Sequence, residues 1–325
     1  MSETKREILG RLSNGEIRVQ QAEEELKKLS REKKKGFLSS LCGMDLCLDF
    51  GGDFNRIVLD EIHTGTLEQG PVELDLTSAN GSIKVETWNS EEYRLTVKKR
   101  VRAGSEEEAE EITSEFEFAQ IGGNTIKAGD FQSKSNKKIS VSLLLQLPKR
   151  HPVEGRAKTA NGSITVSGIE NRSLQASSAN GSVRLEDISG GEIQATTVNG
   201  SIKIEGETSR VEASTTNGSI NLDSTVLPVD TRLRTVNGSV KVAIPAPPGT
   251  ALKVTATTTS GRVTLDHPHF GHIRKSRGFG GKHIESLSSN WDQATVKARL
   301  DLSTVNGSIR LREADGVRTT SNHDM

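Results

Sequence analysis

The chain has 325 residues, and its 43 Lys and Arg balance 43 Asp and Glu, so the formal net charge is zero and the pI about 7.1. That balance supplies no global field for nucleic acid or an anionic membrane, and no apolar run approaches the roughly 18 residues of a membrane-crossing helix. Aromatic residues are only 3% of the chain, which argues against a core built on large rings.

Residues 1–30 read as a helical hairpin. Ile8, Leu9 and Leu12 line one face of the first helix, Ser13-Asn14-Gly15 stops it, and Val19, Ala22, Leu26 and Leu29 repeat at helical spacing in the second. Two helices this short bury too little surface to stand alone, so the module is expected to pack on a copy of itself, giving a homo-oligomer, or on a partner. The opening MSETKREILGRLSNGE is charged where a signal peptide is apolar, so a cytoplasmic location, at most peripheral to a membrane, is the expectation.

Residues 31–55 read as a linker, in which Lys33, Lys34 and Lys35 precede the apolar, Gly-rich FLSSLCGMDLCLDFGGDF. Three lysines beside an apolar stretch are few for a membrane contact. Cys42 and Cys47, the only cysteines, lack a neighbouring His to complete a zinc site and read as free thiols. Residues 56–150 carry longer, less regular strands. Ser105 is placed to cap a helix running toward Phe118, and the Val141 to Leu145 run reads as buried. The whole region is expected to cap one open end of the repeats that follow.

Residues 151–312 form a repeat array, and 313–325 a polar tail expected to be disordered. The recurring phrase is Thr-Val-Asn-Gly-Ser-Ile-Lys-Ile, as at Thr197 to Ile204. Its turn pairs are Asn80-Gly81, Asn161-Gly162, Asn180-Gly181, Asn199-Gly200, Asn217-Gly218, Asn237-Gly238 and Asn306-Gly307, with a degraded copy at Ser260-Gly261. From Asn161 the steps are 19, 19, 18 and 20 to Asn237, then 23 to Ser260 and 46 to Asn306, the last about two periods long. An irregular stretch, 266 to 295, precedes the final copy.

Counted from each Asn, apolar residues fall at minus six (Leu174, Ile193, Val211), minus four (Ala176, Ala195, Ala213), plus three (Val183, Ile202, Ile220) and plus five. Ser or Thr always stands at minus two. This is period-two alternation on both sides of a turn, so each unit holds two short half-buried strands. Asn and Gly enter positive φ most cheaply, which is the expected reason for their place in the turn. Two mainly-β architectures fit: a β-solenoid in which equivalent residues stack coil on coil, and an antiparallel meander of Asn-Gly hairpins. Near-identity of the copies favours the solenoid. The frequent Ala suits a thin core.

Candidates for chemistry are sparse. Lys84, Arg184, Lys203, Lys241 and Arg310 at plus four would make a partly basic stripe, but Glu86, Glu186, Glu205, Asp223 and Asp266 at plus six answer them, so a solvated face is the reading. His267, His269 and His272, with Asp266 and the more distant His283, are the densest group of metal-ligand residue types, on a segment that Pro268 and nearby Gly make loose. No metal site is assigned there. Carboxylates for acid–base work would have to project together from adjacent coils, as Glu186 and Glu205 could, yet nothing around them departs from the repeat. No nucleophile triad, phosphate-cradling loop or dinucleotide fingerprint occurs, so neither a catalytic residue nor a cofactor is expected. The Asn-Gly-Ser triplets match the N-glycosylation pattern and are read as turn chemistry.

The copies SANGSIKVE, TANGSITV, SANGSVRLE, TVNGSIKIE, TTNGSINLD, TVNGSVKV and TVNGSIRLR resemble the bacterial β-strand-repeat family of adhesin-like proteins, also called toastrack domains, over roughly residues 56 to 312. The segment REILGRLSNGEIRVQQAEEELKKL resembles a short helical module related to the so-called short C-terminal (SHOCT-like) domain. The resemblance implies a non-enzymatic binding or scaffold protein beside bacterial cell-envelope stress systems, with a protein or envelope component as partner. A carbohydrate-active β-helix enzyme is the alternative.

Overall fold

The computed structural model describes residues 55–130, 139–275 and 281–314. The predicted hairpin, nearly all of the linker and most of the tail lie outside them. The described residues hold 21 strands and one helix.

The strands that flank one Asn-Gly do not pair with each other. Each pairs in parallel with its equivalents in neighbouring copies, which decides for stacked coils over hairpins. The coil around Asn80 is β2 (Val72–Ser78) and β3 (Ile83–Trp88), followed by β4 (Glu92–Ala103), helix α1 (Glu106–Ser114), β5 (Ala119–Gly122), β6 (Thr125–Gly129) and β7 (Ile139–Pro148); β1 (Asn55–Thr66) precedes them all. The regular coils use β8 (Val153–Thr159), β9 (Ile164–Ser167), β10 (Glu170–Ser178), β11 (Val183–Thr197), β12 (Ile202–Asn217), β13 (Ile220–Ser224), β14 (Asp230–Asn237) and β15 (Val240–Ile244). Last come β16 (Thr250–Ser260), β17 (Val263–His267), β18 (Gly271–Lys275), β19 (Lys282–Leu287), β20 (Val296–Asn306) and β21 (Ile309–Glu313).

Two sheets result. Before the turn, the order is β5, β6, β2, β8, β10, the second half of β11, the second half of β12, β14, β20, β16, β19. After it, the order is β1, β4, β7, β3, β9, the first halves of β11 and β12, β13, β15, β21, β17, β18. The apolar rows read from the sequence face each other between the sheets: Leu174, Ile193, Ala176, Ala195, Ile202 and Ile220 are all buried. Helix α1 begins as predicted, with the Ser105 hydroxyl accepting from the Glu108 amide at 3.2 Å and the Glu108 carboxylate accepting from the Gly104 amide at 2.7 Å.

The order of coils is not the order of the chain. The strands around Asn306 insert between those of Asn237 and those of Ser260, since β20 pairs with both β14 and β16, and β21 with both β15 and β17. The 46-residue step is therefore an excursion through the outermost coil and back, with no copy missing from the sequence. The other end mirrors this. β6 and β7 form an outer coil beside β2 and β3, and β8 and β9 return on the far side. At both ends a regular copy lies one coil in, and at the far end the degraded Ser260 copy lies outside it.

The turn glycines are needed for a different reason from the one expected. Positive φ among described glycines occurs at Gly70, Gly123, Gly129, Gly155, Gly168, Gly190, Gly206 and Gly249, and Asp187 is the single such non-glycine; no Asn-Gly turn residue is among them. What excludes a side chain is the coil next door. A Cβ on Gly200 would lie 2.1 Å from the carbonyl oxygen of Gly181, and one on Gly218 1.9 Å from that of Gly200. The same oxygens explain the invariant Ser or Thr. The hydroxyls of Thr197, Thr215 and Thr235 donate to the carbonyls of Gly181, Gly200 and Gly218 at 2.8, 2.9 and 2.8 Å, and Thr304 and Thr258 continue the series onto Gly238 and Gly307. Each hydroxyl is buried and each such bond is worth about 1 kcal/mol net.

Gly200→Ala is therefore expected to destabilise the protein by about 3 kcal/mol or more in urea unfolding, whereas Gly122→Ala, where an added Cβ meets nothing within 4 Å, should be near neutral. Thr215→Val should cost about 1–2 kcal/mol, and Thr216→Val, exposed and equivalent to Val198 and Val236, close to none.

Candidate functional site

Stacking turns each sequence position into a row of side chains about 4.8 Å apart. Three such surfaces are candidates for binding. The first is the turn edge, where Asn161, Asn180, Asn199, Asn217, Asn237 and Asn306 each donate a side-chain amide N–H to the Asn oxygen of the coil before, starting at Asn80, over 2.8–2.9 Å. Beside this ladder runs a row with exposed Val198, Val236 and Val305.

The second is the outer face of the post-turn sheet, which carries the predicted charges. Lys84 meets Glu86 at 2.5 Å, Arg184 meets Glu186 at 3.5 Å, and Lys203 meets Glu186 and Glu205 at 3.1 and 2.8 Å. Lys203 thus sits between the two carboxylates that acid–base chemistry would need, and their hydrogen bonds raise its pKa. Lys241 and Arg310 are register neighbours, and Asp223 is met by Arg312 at 3.7 Å.

The third is the outer face of the pre-turn sheet, which holds a groove of about 710 Å³ that the sequence did not announce. Its floor follows the minus-five row. There Lys127, Asp75 and Arg156 alternate in sign across β6, β2 and β8, and Gln175 and Gln194 come next. Arg156 grips Asp75 with two bonds of 2.8 Å, which holds the carboxyl below its ordinary range. Gln175 donates to Gln194 at 2.8 Å, as the Asn ladder does. Glu212 continues the floor row beside Gln194, and the walls add Glu73, Glu154, Glu192 and Arg210, with Arg210 bonded to Glu192 at 2.7 Å.

The profile of the family Toastrack DUF4097 matches residues 71–312. The chain belongs to the toastrack family. Solved structures similar to this toastrack chain include a candidate cell adhesion protein from Clostridium sporogenes ATCC 15579, at 10% identity and a TM-score of 0.33, covering 79% of this chain and 100% of that one. A candidate adhesin from Bacteroides fragilis NCTC 9343 gives 13% identity and a TM-score of 0.37 over 79% and 98% of the two chains. No curated protein matches it.

Within the toastrack chain, the predicted histidines are placed at the far end of the stack. His267 closes β17 and is buried, His269 lies in the turn that follows with its ring 5.2 Å from that of His267, and His283 is on β19, its Nδ1 3.0 Å from the Thr257 hydroxyl. Neither residue of the pair is held loosely: His267 Nε2 is 3.2 Å from the Ile244 carbonyl, and His269 Nε2 3.1 Å from the Thr250 hydroxyl. The side chain of His272 and both cysteines lie outside the described residues. Among those residues no group of three or more His, Cys, Asp or Glu is gathered as a metal site, and no helix is long and apolar enough to cross a membrane.

The ion pair in the groove makes a pH prediction. Asp75 has a folded pKa below its ordinary 3.8, so its contribution is complete above that value and is lost as pH falls through the folded pKa. With Arg156 61% exposed, Asp75→Asn should cost under about 1 kcal/mol at pH 7, and the difference from the parent should shrink as the pH of the unfolding measurement is taken down below 3.8 and through the folded pKa.

Proposed function

We propose that this toastrack protein is a non-enzymatic, adhesin-like binding protein that holds an extended segment of a protein or cell-envelope component along its pre-turn sheet. The observation that carries this is the groove over the Gln175–Gln194 step, where uncharged hydrogen-bonding side chains line an open channel flanked by the Asp75–Arg156 and Glu192–Arg210 ion pairs. The paired amides of Gln175 and Gln194 offer donors and acceptors along the row and suit a ligand that is itself extended. The Glu186–Glu205 pair, which a glycosidase-like reading would use, lies on the opposite sheet, tied to Lys203 and away from the groove.

The family membership and the rigid, ladder-built face support a role in presenting a surface, and a bacterial cell-envelope stress setting is the context we assign it. Residues 1–30 then supply self-association, so that several stacks act together and weak contacts multiply. A cytoplasmic scaffold at the membrane periphery is the setting we assign it.

The test is retention of purified protein on envelope fractions of the native organism, compared with a Gln175→Arg/Gln194→Arg variant. Loss of retention in the variant, with unchanged unfolding, is expected; equal retention removes the groove from the reading. Cleavage of a polysaccharide that Glu186→Gln/Glu205→Gln abolishes would show an enzyme instead. Sedimentation with and without residues 1–30 should show a drop to monomer mass.

A further inference from the structure

The neutrality of the whole chain conceals one local imbalance, at the end of the post-turn sheet where β1, β4 and β7 lie side by side. On the regular coils of that face, Arg184 is answered by Glu186, and Lys203 by Glu186 and Glu205. The outer rows of β1 and β4 differ. Leu95, Val97, Val101 and Ala103 are buried, which turns the alternate residues of β4 and their register partners on β1 outward. Those rows carry five cations, Arg56, Arg94, Lys98, Arg100 and Arg102, against two carboxylates, Asp60 and Glu92. β7 beside them adds Ser140, Ser142 and Gln146, which are uncharged.

Lys98 reaches Asp60 at 3.9 Å, but among the described residues no carboxylate comes within ion-pairing distance of Arg56, Arg100 or Arg102. All three are exposed. Arg56 and Arg102 are register partners, so like charges stand directly opposite one another, an arrangement that costs stability. Among them rise Val58, the partner of Arg100, and Ile62, which are 51% and 50% exposed. Strand propensity accounts for β-branched side chains on an outer face, but not for facing arginines. Among the described strands β1 pairs with β4 alone, so none of them covers the patch from its far edge. Guanidiniums that repel one another are relieved by an external anion, and their planar fork matches phosphate oxygens. A single-stranded nucleic acid would call for stacking rings as well, and Tyr93 of β4 is buried on the inner side. Protruding apolar side chains among cations fit phosphates with hydrocarbon beneath them.

We propose that the outer face of β1 and β4 docks on an anionic lipid membrane, with Arg56, Arg100 and Arg102 on lipid phosphates and Val58 and Ile62 entering the headgroup region. This rests on the membrane-peripheral setting assigned above and supplies the surface for it. The field that matters is the local one, because charges farther away than a Debye length are screened, so a net charge of zero is no obstacle. The groove lies on the outer face of the other sheet, so a docked chain keeps it clear of the lipid.

The experiment is flotation of the purified full chain with vesicles of phosphatidylcholine alone or of phosphatidylcholine and phosphatidylglycerol in equal parts. Binding to the mixture only is expected, and it should fall as salt is raised. Arg100→Ser/Arg102→Ser should weaken it roughly 25-fold, at about fivefold per arginine. The thermal midpoint of that variant should be no lower than the parent's, since the facing pair is relieved. Val58→Ser/Ile62→Ser should weaken binding too, and Lys33→Ser/Lys34→Ser/Lys35→Ser should retain it. Equal binding to both vesicle types, no binding to either, binding unchanged in the arginine or the apolar double variant, or binding lost in the lysine variant would each overturn the proposal. Arginine-dependent binding of an oligonucleotide by a chain that ignores vesicles would assign the patch to nucleic acid instead. Circular dichroism of every variant separates loss of contact from loss of the fold. At the salt concentration that abolishes vesicle binding, retention on envelope fractions reports the groove alone, so either reading can fail without the other.

Discussion

The structure depends on how closely one turn lies on the next. The Gly carbonyl of each coil points into the coil beside it, where there is room for a hydrogen atom and none for a methyl group. A buried Ser or Thr hydroxyl from that neighbouring coil takes the same carbonyl. Sterics and hydrogen bonding thus act on one oxygen, and both demand that successive turns be alike. The Asn ladder follows from the same registry, since an amide carries a donor and an acceptor and can satisfy a copy of itself on either side.

That registry also sets what a binding face here can be made of. Neutral amides and hydroxyls can repeat along a row, whereas identical charges about 4.8 Å apart would repel. The pre-turn face accordingly alternates Lys127, Asp75 and Arg156 and then places Gln175 beside Gln194. Where like charges are neighbours, as Arg184 and Lys203 are, carboxylates two residues along the strand answer them. The groove is therefore a polar surface in which Asp75 is paired with Arg156 and Glu192 with Arg210, and its lining carries more acidic than basic side chains, which suits it poorly to polyanions.

The ends of the stack are where regularity stops and other residue types enter. By returning inward, the chain puts a regular copy against the array at both ends and leaves the irregular strands outermost. At one end those are β1, β4 and β5 with helix α1; at the other they are β16 to β19 with the histidine pair. Residues that no longer have to match a neighbour are free to carry something specific.

The sequence by itself determined the coil: its two strands, its buried rows, the capped helix at Ser105 and the neutralised charges of the post-turn face. These are local, and each is repeated often enough to be read from alternation and spacing. Three things needed the tertiary structure. The order of coils did, because a parallel ladder is indifferent to chain order and Asn306 can stack on Asn237 as well as Ser260 could. The reason for glycine did, because the clash is with another coil and leaves no mark on the local backbone. The groove and the histidine pair did, because Gln175 and Gln194, or His267 and Ile244, become neighbours only when separate coils and strands are laid together.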